Sequence, residues 1–322
     1  MVDKRLQCID AGSEYCPCYL AECNECIICS HLQGKSACEC DWSGVCIYQE
    51  FFWCGNKKRN TREECNAKIV QKKMIKEDLA ILKIKVNRTL ARQLKHPGSY
   101  VFVREVDKPT FFDAPMSIMN VDEDKSEIDI ALRVVGSKTK SLIEVSEDIL
   151  LRGPYWNGLI GLKQLKNTSN EEVMVVARGL GMAPAALTLK YLLKNNNKVT
   201  FIIDPGKVDI VFIKDYIKEY DVDINILNLK QENDMEKFRN IIKNKNFSLA
   251  YSAGSDNFHR VVYKEVKKNN MKTKFVITNN NTICCGEGIC GSCICKTANG
   301  DEVKMCKTQI QSGQILGKED VK

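Results

Sequence analysis

A stretch in which apolar and polar residues alternate occupies positions 66–150. It includes LAILKIKVN (79–87), SYVFVRE (99–105) and EIDIALRVV (127–135). A period of two is typical of half-buried strands, and turn signals such as HPGS (96–99) separate these segments. Several strands before any long helix predict a small antiparallel barrel or sandwich.

A different pattern follows, in which apolar strands alternate with helical segments. VMVVA (173–177) predicts a buried strand, followed by RGLGMAP and the helical stretch AALTLKYLLKN. Four further strand-like segments follow: KVTFIIDPG, INILNL, FSLAYSAGS and TKFVITN. They alternate with three helical segments, which are VFIKDYIKEY, a stretch near 234–245, and FHRVVYKEVKKN. This order predicts a parallel α/β sheet. Gly179 and Gly181 fall where a phosphate would meet a helix N-terminus, but that junction alone leaves nucleotide binding open.

Composition and charge restrict the expected location of the protein and the classes of partner it could bind. The 322 residues are 44% hydrophobic and carry a net charge of +7, with lysines interleaved among Asp and Glu. No run of like charge predicts a nucleic-acid partner. The first residues lack an apolar signal region, and no later stretch approaches the ~18 apolar residues of a membrane span. We therefore expect a cytoplasmic protein without membrane insertion.

The cysteines are distributed unevenly. Eleven of the 17 lie between Cys8 and Cys65, six lie between Cys284 and Cys306, and none lies between the two groups. An odd number of cysteines in a reducing compartment disfavours a disulfide framework. Metal binding is the favoured explanation, with two cysteine modules flanking a cysteine-free body.

The C-terminal group predicts an iron–sulfur site. Its C-x4-C-x2-C-x12-C spacing is formed by Cys285, Cys290, Cys293 and Cys306. The first three match the plant-type [2Fe–2S] spacing, whereas structural zinc sites usually use two separate cysteine pairs. Glycines between the cysteines allow the loop to wrap around a cluster, and Asn299-Gly300 predicts a hairpin that returns the chain to it. Cys284 and Cys295 are expected to be spare thiols.

The order of barrel, α/β domain and cysteine loop resembles the electron-transfer subunit of dihydroorotate dehydrogenase, within the ferredoxin–NADP reductase superfamily. The resemblance covers roughly residues 68–322. HPGSYVFVR resembles the family's PGQFV strand, DAPMSIM its R-P-x-S flavin motif, and RVVGSKTKSL its G-x-G-T motif. LRGPYWNGL resembles the GPxGNGF turn, and VVARGLGMAPA the A-G-G-x-G-x-A-P nicotinamide loop.

The resemblance implies a multidomain α+β and α/β fold with FAD and [2Fe–2S] as cofactors. The expected domains are a Cys-rich metal module (1–66), an FAD-binding antiparallel β-barrel (67–152), a parallel α/β NAD(P)-binding-like domain (153–278) and a [2Fe–2S] domain (279–322). It assigns cofactor binding to Pro115, Met116, Ser117, Gly136, Lys138, Thr139, Asn157, Gly158, Gly179 and Gly181. No catalytic residue is predicted.

The chain departs from the family pattern at four positions. Ala114 replaces the flavin-phosphate arginine, and Lys138 replaces the second glycine of G-x-G-T, where its ammonium could supply the missing charge. Arg178 replaces a glycine of the nicotinamide loop and could block the pyrophosphate or contact a phosphate. Ala253 stands where relatives have a cysteine near the nicotinamide. FAD stays the expectation, while NAD(P)H binding and the choice between NAD and NADP stay open.

The N-terminal module has too few aliphatic residues for a large core and is expected to need a metal or bridges. Cys23, Cys26 and Cys29 form C-x2-C-x2-C, the spacing that a [4Fe–4S] cluster takes from one loop. Further candidate ligands are Cys16, Cys18, Cys38, Cys40 and Cys46. A second iron–sulfur cluster, zinc, and redox-active or bridged thiols all stay open.

These observations predict an electron-transfer iron–sulfur flavoprotein. It would pass electrons between NAD(P)H or a partner, FAD and the [2Fe–2S] cluster, because flavins exchange one or two electrons and the cluster exchanges one. The expected partner is a catalytic oxidoreductase subunit or a ferredoxin-like electron carrier. Two alternatives are a stand-alone NAD(P)H reductase and a metal- or redox-dependent sensor on a degenerate reductase scaffold.

Overall fold

The structure is a computed structural model that describes residues 6–317. The described chain forms two compact units. The first contains residues 6–64 and Asn281–Ile310, and the second contains Cys65–Asn280 and residues 311–317. The two cysteine-rich segments, which are far apart in sequence, therefore fold in the same unit.

The strands, in chain order, are β1 (Gln7–Cys8), β2 (Glu64–Lys76), β3 (Leu79–Lys85), β4 (Tyr100–Glu105), β5 (Ala114–Asp122), β6 (Glu127–Arg133), β7 (Asp148–Tyr155), β8 (Leu159–Ile160), β9 (Glu172–Arg178), β10 (Lys198–Asp204), β11 (Asp223–Ile226), β12 (Leu249–Ala253), β13 (Lys274–Thr278), β14 (Ile294–Lys296), β15 (Glu302–Lys304) and β16 (Thr308–Gln309).

The α-helices are α1 (Tyr19–Glu22), α2 (Ile47–Trp53), α3 (Arg88–Gln93), α4 (Ser137–Glu144), α5 (Leu162–Lys166), α6 (Met182–Lys194), α7 (Lys214–Ile217), α8 (Glu232–Asn244), α9 (Asp256–Asn269) and α10 (Gly313–Leu316). Short 3₁₀ segments lie at His31–Gln33, Thr110–Phe112, Gly179–Gly181 and Gly206–Val208.

The alternating region closes into the predicted antiparallel barrel, with strand order β2-β3-β6-β5-β4-β7. Alternation along β4 places Val101 and Val103 in the barrel core with Ile118 and Ile130. Tyr100 and Phe102 therefore project from the other face of the strand, because successive side chains of a strand point to opposite faces. That outer face is the part of the barrel that positions the candidate site.

The second region forms the predicted parallel sheet, with strand order β11-β10-β9-β12-β13-β8 in the described chain. β9 to β13 are parallel, and β8 joins the edge antiparallel to β13. The long helices α6, α8 and α9 match their predicted segments. The helix predicted from VFIKDYIKEY is wrong except for the single turn α7, since Phe212 and Ile213 are buried in the turn that precedes it.

The first unit contains little regular structure. β1 pairs antiparallel with β16, with Cys8 opposite Thr308, and the predicted hairpin is confirmed by β14 and β15. A small apolar cluster fills the centre of its N-terminal part: Cys16, Ala21, Cys29, Leu32, Ile47 and Phe51. This cluster is small, so the module has little apolar packing to hold it together.

Among residues 6–317, no helix is both long and apolar enough to cross a membrane.

Candidate functional site

The C-terminal loop brings the four cysteines of the plant-type spacing together. The Cys285 thiol hydrogen-bonds to the thiols of Cys306 and Cys290, and Cys306 also hydrogen-bonds to Cys293. The loop begins after β13, and the β14–β15 hairpin returns the chain so that Cys306 reaches the other three. One short segment thus brings four thiols close together.

Hydrogen bonding favours the thiolate form of Cys285 and Cys293 in this loop. The hydrogen bond from Cys306 lowers the pKa of Cys285 to about 3 and that of Cys293 to about 6, and the shared proton raises the pKa of Cys306. The Glu287 backbone N–H donates to Cys285 Sγ at 3.3 Å, and the Cys306 N–H donates to Cys293 Sγ at 3.4 Å. Backbone N–H groups aimed at sulfur are the arrangement that stabilises cluster-bound thiolates.

Glycine is required where this loop is tightest. Gly288 has a φ of +80°, and a Cβ there would lie 3.0 Å from the Leu20 side chain. A side chain at this position would therefore both strain the backbone and displace α1. The other two glycines between the cysteines, Gly286 and Gly291, also have positive φ.

A buried network of four charges supports the loop from the side of the N-terminal module. Lys307 Nζ contacts Asp10 and lies 2.8 Å from Glu287, while Arg62 lies 2.8 Å from Asp10 and 3.3 Å from Glu287. Burial alone would raise the pKa of Asp10, but Lys307 and Arg62 outweigh it and lower that pKa. Glu287 and Lys307 belong to the cysteine loop, so the network joins the two cysteine-rich segments.

In the second unit, the outer face of the barrel carries the first flavin motif. Pro115 lies opposite Phe102 and Ser117 lies opposite Tyr100, on neighbouring strands β5 and β4. Tyr100 stacks on Tyr155 with ring centroids 5.2 Å apart, and Phe102 meets Tyr155 edge to face. Pro115 is exposed and Ser117 is half-buried, whereas Met116 faces the barrel core. The face offers an apolar platform beside a hydroxyl.

Three cations converge on the residue that precedes Ala114. Arg104 donates to Asp113 Oδ1 at 2.7 Å and Arg152 donates to Oδ2 at 2.9 Å. Lys138 Nζ donates to the Asp113 backbone carbonyl at 2.9 Å. With one carboxylate among them, the group carries a net charge of +2. It suits a phosphorylated ligand, because guanidinium groups bind phosphate oxygens well.

The second flavin motif forms the start of α4. Thr139 Oγ1 accepts hydrogen bonds from the backbone N–H of Val135 at 2.8 Å and of Gly136 at 3.2 Å. These bonds fix the loop that carries Lys138 toward Asp113. Gly136 is exposed, and a Cβ there would meet nothing within 4 Å. The motif thus positions Lys138 within the group of cations.

In the LRGPYWNGL turn (151–159), the backbone at Gly158 lies close to the backbone at Gly98. The Gly158 N–H donates to the Gly98 carbonyl at 2.9 Å, and a Cβ on Gly158 would lie 2.5 Å from that oxygen. The buried Asn157 accepts from the Asn279 side chain at 2.8 Å through its backbone carbonyl. Glycine at 158 is therefore demanded by packing, whatever else the turn binds.

The glycine loop after β9 leads directly into α6. Gly179 has a φ of +56°, and Gly181 packs against the carbonyl end of β12, where a Cβ would overlap Ala253. Arg178 Nε lies 3.5 Å from Asp204, and its guanidinium lies 5.7 Å above the Phe258 ring. Asp204 also accepts from the Gly206 and Leu229 N–H groups. Both oxygens of the Asp204 carboxylate therefore already have partners within the protein.

Comparison with known proteins supports this arrangement. The chain is 24% identical over 229 residues to a dihydroorotate dehydrogenase B (NAD(+)) electron transfer subunit from Fusobacterium nucleatum subsp. nucleatum, covering 68% of this chain and 85% of that protein. A Bacillus cereus protein of the same description is 25% identical over 236 residues, covering 71% and 87%. The chain is thus similar to the dihydroorotate dehydrogenase electron-transfer subunits. No family model matches it.

Solved structures confirm the ferredoxin-reductase-like fold. The structure of an NADH-dependent reduced ferredoxin-NADP oxidoreductase superposes with a TM-score of 0.59 and 17% identity, covering 79% of this chain and 93% of that one. The CS-b5R domains of human Ncb5or give a TM-score of 0.53 at 14% identity, covering 68% and 70%. The predicted resemblance and fold class are confirmed.

The N-terminal cysteines are the second group of candidate metal ligands. Of the predicted C-x2-C-x2-C triplet, Cys23 is exposed at the end of α1, Cys26 is half-buried, and Cys29 is buried in the small apolar cluster. The three thiols of the triplet therefore differ in their burial. Cys38 and Cys40 have their sulfurs 3.8 Å apart near the surface, and Cys46 is exposed before α2.

Cys16 and Cys18 lie on the inner side of this module, and burial raises the pKa of both thiols, that of Cys16 to about 12. Over residues 6–317, no group of three or more His, Cys, Asp or Glu side chains could hold a metal ion. A polynuclear cluster differs from a single ion in this respect, because its own iron and sulfide atoms keep the thiolates apart.

Sequence reasoning missed two arginines of the site. Arg104 and Arg152 lie in the quoted segments SYVFVRE and LRGPYWNGL, but nothing in those segments marks them as partners of Asp113. The available signal was the strand alternation, which places Arg104 on the same outer face as Phe102. Recognising Arg152 required the pairing of β7 with β4, where it lies opposite Phe102.

Proposed function

We propose that this protein is an electron-transfer iron–sulfur flavoprotein that serves a catalytic oxidoreductase partner. FAD would supply exchange of one or two electrons, and a [2Fe–2S] cluster on Cys285, Cys290, Cys293 and Cys306 would supply exchange of one electron. The observation that carries the proposal is the grouping of these four thiols in one glycine-containing loop. The name "electron transfer subunit" of its relatives supports the same role.

The residues around Asp113 fit the flavin part of the proposal. Ala114 lacks the charge that the family's arginine would bring, and Arg104, Arg152 and Lys138 provide a net positive charge at the same end of β5. We assign the diphosphate of FAD to these cations. The flavin ring is assigned to the face of Pro115 and Ser117, with Met116, Gly136 and Thr139 holding the backbone around it. Asn157 and Gly158 complete the assigned residues through the turn that follows β7.

The nicotinamide part of the proposal rests on the loop after β9. Gly179 and Gly181 lead into α6, whose first N–H groups have no side-chain cap, so they are available to an anionic group. Arg178 beside them adds a positive charge. We assign NAD(P)H to this loop as the electron source when the partner does not supply electrons directly. A cytoplasmic location fits cysteines that form no disulfide in the described chain.

The test is anaerobic purification of the full chain with flavin, iron and sulfide counted, followed by spectra before and after NADH, NADPH and dithionite. The proposal predicts about one FAD and at least about two irons per chain, with both centres reducible. Bleaching by a nicotinamide cofactor would identify a reductase, and bleaching by dithionite alone would identify a relay fed by its partner. A chain that binds no flavin, even after incubation with FAD, would refute the proposal and leave the sensor alternative.

A matched pair of variants tests the assigned phosphate site. Arg152→Met removes a guanidinium that faces Asp113, and the expected result is an increase in the Kd for FAD of about tenfold to a hundredfold, since charge-assisted hydrogen bonds contribute about 1.5–3 kcal/mol. Arg133→Met is the control, because that arginine forms a surface pair with Asp78 on the same barrel. Equal Kd values for the two variants would remove Arg152 from the site.

A further inference from the structure

A cavity inside the N-terminal module is lined by four cysteines. The cavity is small, and Cys8, Cys16, Cys18 and Cys26 line it. The remaining lining is mainly apolar and includes Leu20 and Ile47. Four thiols from three separate segments, β1, the turn before α1 and the loop after it, thus face one enclosed space. The C-x2-C-x2-C triplet contributes only Cys26.

The backbone approaches these sulfurs closely. Backbone groups of Asp10, Gly12 and Leu20 lie near Cys8, Cys16 and Cys18 respectively. The Cys29 N–H donates to Cys26 Sγ at 3.3 Å. This is the arrangement seen at Cys285 and Cys293 in the other loop, and it is how a protein stabilises thiolates that carry a cluster.

Neither disulfide formation nor apolar packing accounts for these thiols. None of the cysteines in the described chain forms a disulfide, and Cys8, Cys16, Cys18 and Cys26 are all buried or half-buried. The module also has a very small apolar core. Modules of this size commonly obtain their stability from a bound metal centre.

The cavity also lies beside the loop of the first cluster, within the same unit. Leu20 lines the cavity, and its side chain packs against Gly288 of the C-terminal loop. Lys307, the residue after Cys306, is close enough to Cys8 and Cys18 to affect both thiols electrostatically. A redox centre in the cavity would therefore be a near neighbour of the [2Fe–2S] loop.

We propose that Cys8, Cys16, Cys18 and Cys26 bind a second iron–sulfur cluster, of the [4Fe–4S] class, in this cavity. A cubane cluster takes one thiolate per iron and separates the four sulfurs by its own atoms, which suits thiols that line a cavity without converging on one point. The site does not depend on the flavin assignment, because it lies entirely in the first unit. Cys23 and Cys29 are then not ligands.

The test begins with the full-length chain, purified anaerobically and reconstituted with iron and sulfide. Iron, sulfide and zinc are counted, and Mössbauer spectra resolve the cluster types. The expected content is about six irons and six sulfides per chain, of which about four irons belong to a cubane cluster. A content of about two irons, or zinc in place of the additional iron, would overturn the proposal whether or not flavin is bound.

Variants then locate the ligands. Cys18→Ser is expected to lose about four irons while keeping the [2Fe–2S] signal, and Cys23→Ser, the matched control five residues away, is expected to keep all of about six. The reverse result, with iron lost in C23S and retained in C18S, would overturn the ligand set in favour of the C-x2-C-x2-C triplet.

A measurement on the wild-type chain covers the case in which C18S fails to fold. Cysteines are alkylated with and without prior iron chelation and mapped by mass spectrometry. The proposal predicts that chelation exposes Cys8, Cys18 and Cys26 to alkylation, whereas the exposed Cys23 reacts in both samples. Alkylation of Cys8, Cys18 and Cys26 that is the same in both samples would contradict the proposal.

Discussion

Replacing Lys307 by methionine tests the buried charge network that joins the two cysteine-rich segments. Methionine keeps most of the length and volume of the side chain and removes only the charge. The Lys307 side chain is 1% exposed and contacts both Asp10 and Glu287. In the variant, Arg62 alone faces two carboxylates, so the net charge of the network changes from zero to −1.

The expected loss of stability in Lys307→Met follows from the burial of the charged side chains. Removing one partner of a buried pair costs about 3–5 kcal/mol, because it leaves an uncompensated charge out of water. Asp10 keeps its contact with Arg62 at 2.8 Å, so we expect the lower end of this range, about 3 kcal/mol. Since each 1.4 kcal/mol is a factor of ten, amide exchange in the first unit should accelerate about a hundredfold.

Hydrogen exchange read by mass spectrometry is the suitable assay, because it reports separately on peptides from each unit. Peptides from Cys65–Asn280 provide an internal control, and wild type and variant are compared at equal iron content. Lys296→Met is the matched surface control, since its pair with Glu302 is 68% and 60% exposed and should contribute at most about 1 kcal/mol.

The double variant Asp10→Asn with Lys307→Met tests whether the unbalanced charge causes the loss of stability. It restores neutrality to the network, so it should exchange more slowly than Lys307→Met alone. If Lys307→Met accelerates exchange no more than Lys296→Met does, the network contributes no more than a surface pair and the reasoning is refuted.

Three further predictions concern the cluster, the nucleotide loop and pH. Cys290→Ser should lose about two irons, whereas Cys295→Ser, from the same loop, should lose none; equal iron content in the two variants would contradict the assignment. Arg178→Gln should raise the KM for nicotinamide cofactor about tenfold in stopped-flow flavin reduction without changing FAD content, and an unchanged KM would exclude a phosphate contact. Burial between Ser252 and Thr278 lowers the pKa of His259 to about 4. Because the unfolded chain binds this proton near pH 6.5, the second unit should lose about 3 kcal/mol as pH falls from 6.5 to 4, and His259→Gln should flatten the urea-unfolding profile across that window.

The sequence alone was sufficient where the controlling interactions are local. The barrel strands and the α/β strands follow from alternation and apolar runs, because side-chain period and strand burial are properties of short segments. The grouping of Cys285, Cys290, Cys293 and Cys306 was also predictable in this way, since three of these four cysteines and the glycines between them occupy one loop. The hairpin after Cys295 was predicted from its turn residues, Asn299 and Gly300.

Tertiary structure decided the features that join distant segments. Arg104 and Arg152 meet Asp113 only because β4 pairs with both β5 and β7, and strand pairing is not visible in one sequence. The same limit applied to the N-terminal thiols. The C-x2-C-x2-C spacing drew attention to Cys23 and Cys29, whereas the cavity takes Cys8 from β1. That strand is held in place by its pairing with β16, about three hundred residues later in the chain. Spacing describes a site that one loop can build, and a site assembled from several segments appears only when packing brings its side chains together.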